Sequence, residues 1–434
     1  MRIAIVHPDL GIGGAERLIV DAAIELKKRG HEVTIYTSHH DPNHCFPETK
    51  STKFSQCLKL IFFLGFNVVV VGDWLPRSLF GYFYLLFSAI RSIYLALYLL
   101  FCKFGLNRFQ SDLIITDQIT FHLPLLKISA PILFYCHFPD KFLAPKSKGL
   151  LRKNVYRKIL DWAEEFCLKC GAKEIVVNSR FTQEKFKEAF KTIEKVPSVL
   201  YPGVELNETE LFDPAFPVDL KSKILLSLNR FERKKDLHLA IESFASYKKK
   251  SESAVKLILA GGYDSRVQEN REHLKELQTL CDQFKLNHLT LFRDDYENDF
   301  YKINFNGRDR DFQVLFLPSI SQETKLILLQ KSSGLLYTPS NEHFGIVPIE
   351  AMSHGLPIIA MNSGGPKETI LNGITGYLCD PTSKSITEAI EKLLEIDDRN
   401  EMGGAGRIRV KEMFSLSVFG DQLDSICVKT VIKQ

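Results

Sequence analysis

Glu342 and Glu350 stand eight residues apart in the run Asn341–Met352, on either side of Gly345 and Pro348. Proline is favoured at the first position of a helix, where the amide proton it lacks would have no partner. The spacing therefore predicts a helix that opens at Pro348, holds Glu350 in its first turn and stops at Gly355. Glu342 then falls on the preceding loop, and the free amides around Phe344 and Gly345 can face a ligand. Two acids beside exposed amides suit a molecule with many hydroxyls and a negative charge, such as a nucleotide sugar. Taken alone, the run is also an ordinary helix start with two acidic residues.

It does not stand alone. In the run Leu228–Asp236, Arg230 and Lys235 are five residues apart on a turn between an expected strand and an expected helix. A guanidinium fork and an ammonium at a strand end can hold one pair of phosphates. Glycine turns recur after strands at Gly261–Gly262 and Gly364–Gly365, which together with Gly345 point to a ligand crevice in this half of the chain. In the first half, His137 ends a strand in Cys136-His137-Phe138-Pro139 and reads either as a core histidine or as a group approaching the crevice. His39, His40 and His44 have no acidic or cysteine partner at metal-ligand spacing, and Cys167 and Cys170 form a lone C-x-x-C, so no metal is expected.

The elements that must position these residues show as apolar runs. Residues 2–7 read as a buried strand, followed by the glycine loop Gly11–Gly14, a helix Ala15–Arg29 and a strand Glu32–Ser38. This is a nucleotide-type start but not the dinucleotide fingerprint. The third glycine of G-x-G-x-x-G falls at Glu16, and the second strand ends in Thr37-Ser38 rather than in an acid, so an NAD-dependent oxidoreductase is disfavoured. Further strands are expected at 112–116, 132–137 and 174–178, then at 223–229, 256–260, 289–292, 313–317, 334–338 and 357–361. A late helix is expected with a capping box at Ser385 and Glu388.

The two series imply two α/β domains in 434 residues: 1–205, a link 206–222, and 223–411, with a C-terminal helix at about 412–434 returning to the first. Glu297–Arg310 reads as a polar insertion. Nine scattered cysteines fit reduced thiols.

Net charge is +4, from 56 basic and 52 acidic side chains, too balanced to imply nucleic acid. Between Lys141 and Lys158 lie seven basic residues and no acid, among them Lys146, Lys148, Arg152 and Lys153, a candidate surface for anionic lipid or a lipid diphosphate. Leu79–Phe104 is nearly all apolar and, as a helix, would reach about 39 Å. Strands expected before and after it belong to one sheet, so it should dip into or lie along a membrane rather than cross it, the alternative being a plain buried helix of the first domain. Tyr82, Tyr84, Tyr94 and Tyr98 add interfacial rings.

Together these residues resemble the retaining nucleotide-sugar glycosyltransferases of the GT-B fold, in which two Rossmann-like domains face each other across a cleft. The markers are Gly11–Gly14, Asn178-Ser179, Tyr201-Pro202-Gly203-Val204, Arg230 with Lys235, and the Glu342/Glu350 pair. The resemblance implies that Arg230 and Lys235 hold the donor diphosphate and that Glu350 holds the ribose. Glu342, with His343, Phe344 and Gly345, would contact the transferred sugar, with His137 near its primary hydroxyl. Gly13 and Gly14 would also serve the donor. Several strings are more closely similar to the eukaryotic dolichol-pathway mannosyltransferases that add the second and third mannoses: Gly13–Arg17, Gly72–Arg77, Tyr135–Asp140, Asn229–Lys235 and Asn341–Met352. That likeness implies GDP-mannose as donor, a diphosphodolichol-linked acceptor, no cofactor or metal, the cytosolic face of the endoplasmic reticulum, and other mannosyltransferases of the pathway as partners. Another lipid-linked mannosyltransferase of that pathway, or an inactive nucleotide-sugar-binding protein, stays open as an alternative.

Overall fold

The computed structural model describes residues 1–50, 66–78, 83–105, 109–143, 151–206, 223–251, 253–293, 312–395 and 399–432, with the backbone alone at 151–156 and 399. Most of the expected link, the insertion Glu297–Arg310, Lys146, Lys148 and the start of the apolar stretch lie outside these residues. The chain divides into two units, Met1–Gly203 with Leu416–Gln434, and Val204–Ser415.

The first unit holds strands β1 (Arg2–His7), β2 (Glu32–Thr37), β3 (Asn67–Val70), β4 (Leu113–Asp117), β5 (Ile132–Cys136), β6 (Glu174–Val177) and β7 (Ser198–Val199). They form a parallel sheet in the order β3-β2-β1-β4-β5-β6-β7. β1 hydrogen-bonds β2 on one side and β4 on the other, so the winding direction reverses between β1 and β4. Continuous apolar runs make these strands, as expected where both sheet faces are covered. One face packs Leu18, Ile19 and Leu26 of the helix Gly14–Lys28 with Phe419, Leu423 and Cys427 of the C-terminal helix Leu416–Ile432. An ion pair from Arg29 to Asp421 and a hydrogen bond between His31 and Asp424 flank that contact, each at 2.6 Å.

The other face packs Leu95, Ala96 and Leu99 of the helix Tyr84–Phe104. This helix lies in sequence between β3 and β4 of a single sheet, so it cannot carry the chain once across a bilayer. Arg91, which would be costly at mid-membrane, is 7% exposed and donates to the Ser38 carbonyl at 2.6 Å. Leu86, Ile90, Tyr94, Leu97, Phe101 and Phe104 project to the outside at spacings of three and four residues.

The second unit repeats the plan with β8 (Lys223–Leu228), β9 (Val255–Gly261), β10 (His288–Thr290), β11 (Val314–Pro318), β12 (Gly334–Tyr337), β13 (Ile358–Met361) and β14 (Gly376–Cys379). Its parallel order is β10-β11-β9-β8-β12-β13-β14, with the reversal between β8 and β12.

Two expected helix starts are displaced. The helix after β12 spans Ile346–Ser353, opening two residues before Pro348, and Glu350 lies beyond its first turn. Gly345, at φ 83°, turns the chain directly into the helix, and Pro348 is tolerated at its third position because that amide also lacks a helical partner. The late helix spans Ser383–Glu395 and is capped by Thr382, whose hydroxyl accepts from the Ser385 amide, so the Ser385–Glu388 box does not form. The stop at Gly355 holds: at φ 72° its amide bonds the Met352 carbonyl while Leu356 bonds Ala351.

Candidate active site

In an open parallel sheet, loops after the strands part at the reversal point and leave a crevice. In the second unit, the turn after β8 and the loop after β12 meet there. The Lys235 ammonium donates to Glu342 Oε2 at 2.5 Å, across 107 residues of sequence. Thr338, just past β12, ties the same turn by donating to the Lys235 carbonyl at 2.9 Å. Burial pushes the Glu342 carboxyl up, but Lys235, with smaller help from His343 and the Tyr337 hydroxyl, outweighs it and holds the carboxyl below its ordinary value.

Glu350 accepts from Lys325 at 2.7 Å, while its Oε2 is buried without a hydrogen-bond partner. Lys325 lies on the helix Gln322–Lys331, whose start is capped by Ser321. Arg230 points outward, 65% exposed along its side chain, with Glu232 at 3.2 Å. The two cations of the expected phosphate pair therefore take different partners: Lys235 is engaged by Glu342, and Arg230 stands at the surface.

Glycines let three loops close on this site. A Cβ on Gly364 would meet the Glu342 carbonyl at 2.4 Å, and one on Gly365 would meet the Phe344 carbonyl at 2.3 Å. The Gly365 amide bonds the Glu342 carbonyl at 2.8 Å. A Cβ on Gly261 would meet the Asn229 carbonyl at 2.3 Å. Phe344 is buried edge-on against Phe414, anchoring the loop that carries His343 and Gly345.

In the first unit, the reversal point gathers a second cluster. Asp117, at the end of β4, accepts from His7 Nδ1 at 2.7 Å with one oxygen and from His137 Nε2 at 2.8 Å with the other. Asp117 and His7 are fully buried, and His137 is partly open. Gly13 caps the first helix, and the Glu16 carboxylate occupies the space that a Cβ on Gly13 would fill, at 2.2 Å; Gly14 is open.

Of the expected lipid-facing cations, Lys141 is tied to the Ala189 carbonyl at 3.0 Å. The backbone at Arg152 and Lys153 is helical, within Leu151–Gly171. On the same helix Ile159, Trp162 and Phe166 are exposed. Elsewhere His238, His273 and Glu276 bring potential ligand atoms within 4.8 Å, but Arg233 already holds Glu276. His7, Asp117, Tyr337 and Lys325 were not singled out by sequence. The strand-end positions of His7, Asp117 and Tyr337 offered a signal, and Lys325 offered none.

The group 1 glycosyl transferase model matches residues 208–303 and 310–409, and the glycosyltransferase family 4 model matches 12–208. The chain is 40% identical to the alpha-1,3/1,6-mannosyltransferase ALG2 of Rhizomucor pusillus, covering 99% of this chain and 92% of that one. It is also 40% identical to the human protein of the same name, covering 99% and 96%. A glycosyltransferase from Rickettsia africae superimposes with a TM-score of 0.68 at 18% identity, over 100% of this chain and 99% of the other, which shows the GT-B fold. The chain is a glycosyltransferase and belongs to the alpha-1,3/1,6-mannosyltransferase family that bears the name ALG2.

Proposed function

We propose that the protein moves mannose from GDP-mannose to a mannosyl-chitobiosyl-diphosphodolichol acceptor, through an α-1,3 and then an α-1,6 bond, with retention at the anomeric carbon. The carrying observation is the Lys235–Glu342 pair at the reversal point of the second sheet. Lys235 is a cation already held in place. When a donor enters, its diphosphate competes for that ammonium and leaves Glu342 free to accept from sugar hydroxyls. As the bond from the anomeric carbon to diphosphate breaks, charge grows on the leaving oxygen, and Lys235 with Arg230 meets it. The acceptor oxygen attacks from the same face and its proton passes to the departing phosphate. The unpartnered oxygen of Glu350 suits a ribose hydroxyl. Cations of the chain supply the charge, so a chelator is expected to leave turnover unchanged.

The lipid acceptor fits the exposed apolar face of Tyr84–Phe104, extended by Trp74, which is 73% exposed and packs edge-on against Tyr94 at 5.6 Å. Indole and phenol rings favour the headgroup layer. That face supports work at a membrane, which we propose is the cytosolic face of the endoplasmic reticulum.

Incubation with GDP-mannose and synthetic acceptors carrying one, two or three mannoses tests the assignment. Extension of the first two is expected. Extension of the third alone would assign the chain to a later step, and no extension of any would overturn this choice of donor and acceptor.

A further inference from the structure

The cluster at the first reversal point contains more charge than holding one histidine requires. Asp117 is a carboxylate and can only accept, so both imidazole nitrogens that touch it must carry protons. His7 therefore donates through Nδ1, and His137 through Nε2. The second nitrogen of His7, Nε2, is buried without a hydrogen-bond partner and faces the Glu16 carboxylate at 3.8 Å, outside hydrogen-bond reach but inside ion-pair range. His7 thus lies between two carboxylates.

We infer that His7 is a permanently charged positioning residue: as a buried imidazolium it balances Asp117, so that Asp117 fixes His137 as the neutral Nε2-protonated tautomer with Nδ1 bare. The inference rests on the mannosyl-transfer reading for what it does with that nitrogen. A bare Nδ1 accepts a hydrogen bond from a hexose hydroxyl. An imidazolium has no bare nitrogen and could only donate.

The surrounding groups agree. Burial alone pushes the His7 imidazole down, but Asp117 and then Glu16 outweigh it and raise it to about 10. Burial pushes the Asp117 carboxyl up, and the two histidines more than reverse this, to about 2. His122, just past β4, is buried, pushed down to about 4, and spends Nε2 on the Thr116 hydroxyl at 3.0 Å, so it adds no charge. Tyr135 from β5 is neutral, its phenol raised well above the ordinary value by burial, and it donates to the Leu200 carbonyl at 3.0 Å. Glu16 stands where the dinucleotide fingerprint would have glycine, and Gly13 lacks the Cβ that would displace it. The departure from the fingerprint gives the buried imidazolium its second carboxylate.

Two readouts test this on the full chain. In nitrogen-15 spectra of histidine-labelled protein without substrate, His137, assigned by comparison with His137→Asn, is expected as the Nε2-protonated neutral tautomer at pH 7.5. Protonation at Nδ1 would overturn the inference whatever the enzyme's substrate. In the pH profile of kcat/KM, His7→Gln removes the charge that balances Asp117. The acid limb is expected to move up by about one pH unit, within the ~1–3 units an opposite charge produces. Should His7→Gln fail to fold, Glu16→Gln, at a partly exposed position, is expected to weaken the imidazolium and move the limb in the same direction by less. A folded variant that is slower at every pH with an unmoved limb would reduce His7 to a packing role. Loss of transfer in the wild type with the expected tautomer intact would instead count against the mannosyl-transfer reading alone.

Discussion

Lys235 and Glu342 show how one residue sets the charge of another. Both side chains are mostly shielded, at 15% and 23% exposed. The Glu342 carboxyl is held below its unfolded value of about 4.3. It therefore lends stability above that pH, which is lost as pH falls through the folded value. In Lys235→Met the burial that pushes Glu342 up remains while the cation that pushed it down is gone, so the sign reverses. The variant should be less stable than wild type by about 1–3 kcal/mol at pH 7.5, the cost of an uncompensated shielded charge. It should regain stability on acidification to about pH 5, and the double variant Lys235→Met, Glu342→Gln should be stable at both. Melting temperatures at the two pH values decide it, and a Lys235→Met melt matching wild type at pH 7.5 would show the pair to be too solvated to matter.

At the scale of elements, the loops after β12 and β13 lean on each other through backbone. Gly364 has φ 62° and no room for a Cβ beside the Glu342 carbonyl, whereas Gly373 has φ 77° and open space around it. Ala at either position carries the left-handed backbone cost of about 1–2 kcal/mol. Only Gly364→Ala must also displace the loop that holds Glu342. GDP affinity measured by calorimetry should fall at least tenfold in Gly364→Ala and stay near wild type in Gly373→Ala; equal losses would mean that strain, not loop contact, matters. These contacts also show what a sequence makes legible. The expected strands lie within two residues of those formed, because a buried parallel strand is a near-continuous apolar run. β3, β7 and β14 were missed: each has four residues or fewer, and none is buried throughout. Arg230, Lys235, Glu342, Gly345 and Glu350 were visible because each sits in a short string. Lys325 and the His7–Asp117 contact were not, because their partners lie 25 and 110 residues away and only the sheet order brings them together.

Over the whole molecule, one device occurs twice. In each sheet the winding reverses beside the first strand, and there a shielded carboxylate meets cationic or protonated nitrogen: Asp117 with His7 and His137, Glu342 with Lys235. What distinguishes the first unit is its outer surface. The helix Tyr84–Phe104 gives one face to the sheet and leaves Leu97 and Phe101 outside, with Trp74 alongside. Among the described residues those outer side chains stay at least half exposed, so their removal separates membrane attachment from folding. Burying a Leu or Phe side chain is worth about 1.5–3 kcal/mol. Leu97→Glu with Phe101→Glu should therefore lower co-sedimentation with phospholipid vesicles by roughly a hundredfold or more, as RT ln 10 is about 1.4 kcal/mol. The melting temperature should stay close to wild type, and so should turnover of a short-chain acceptor soluble in water. Undiminished vesicle binding in this variant would move the attachment surface elsewhere, to Ile159, Trp162 and Phe166 on the helix Leu151–Gly171, where the same pair of substitutions can be repeated.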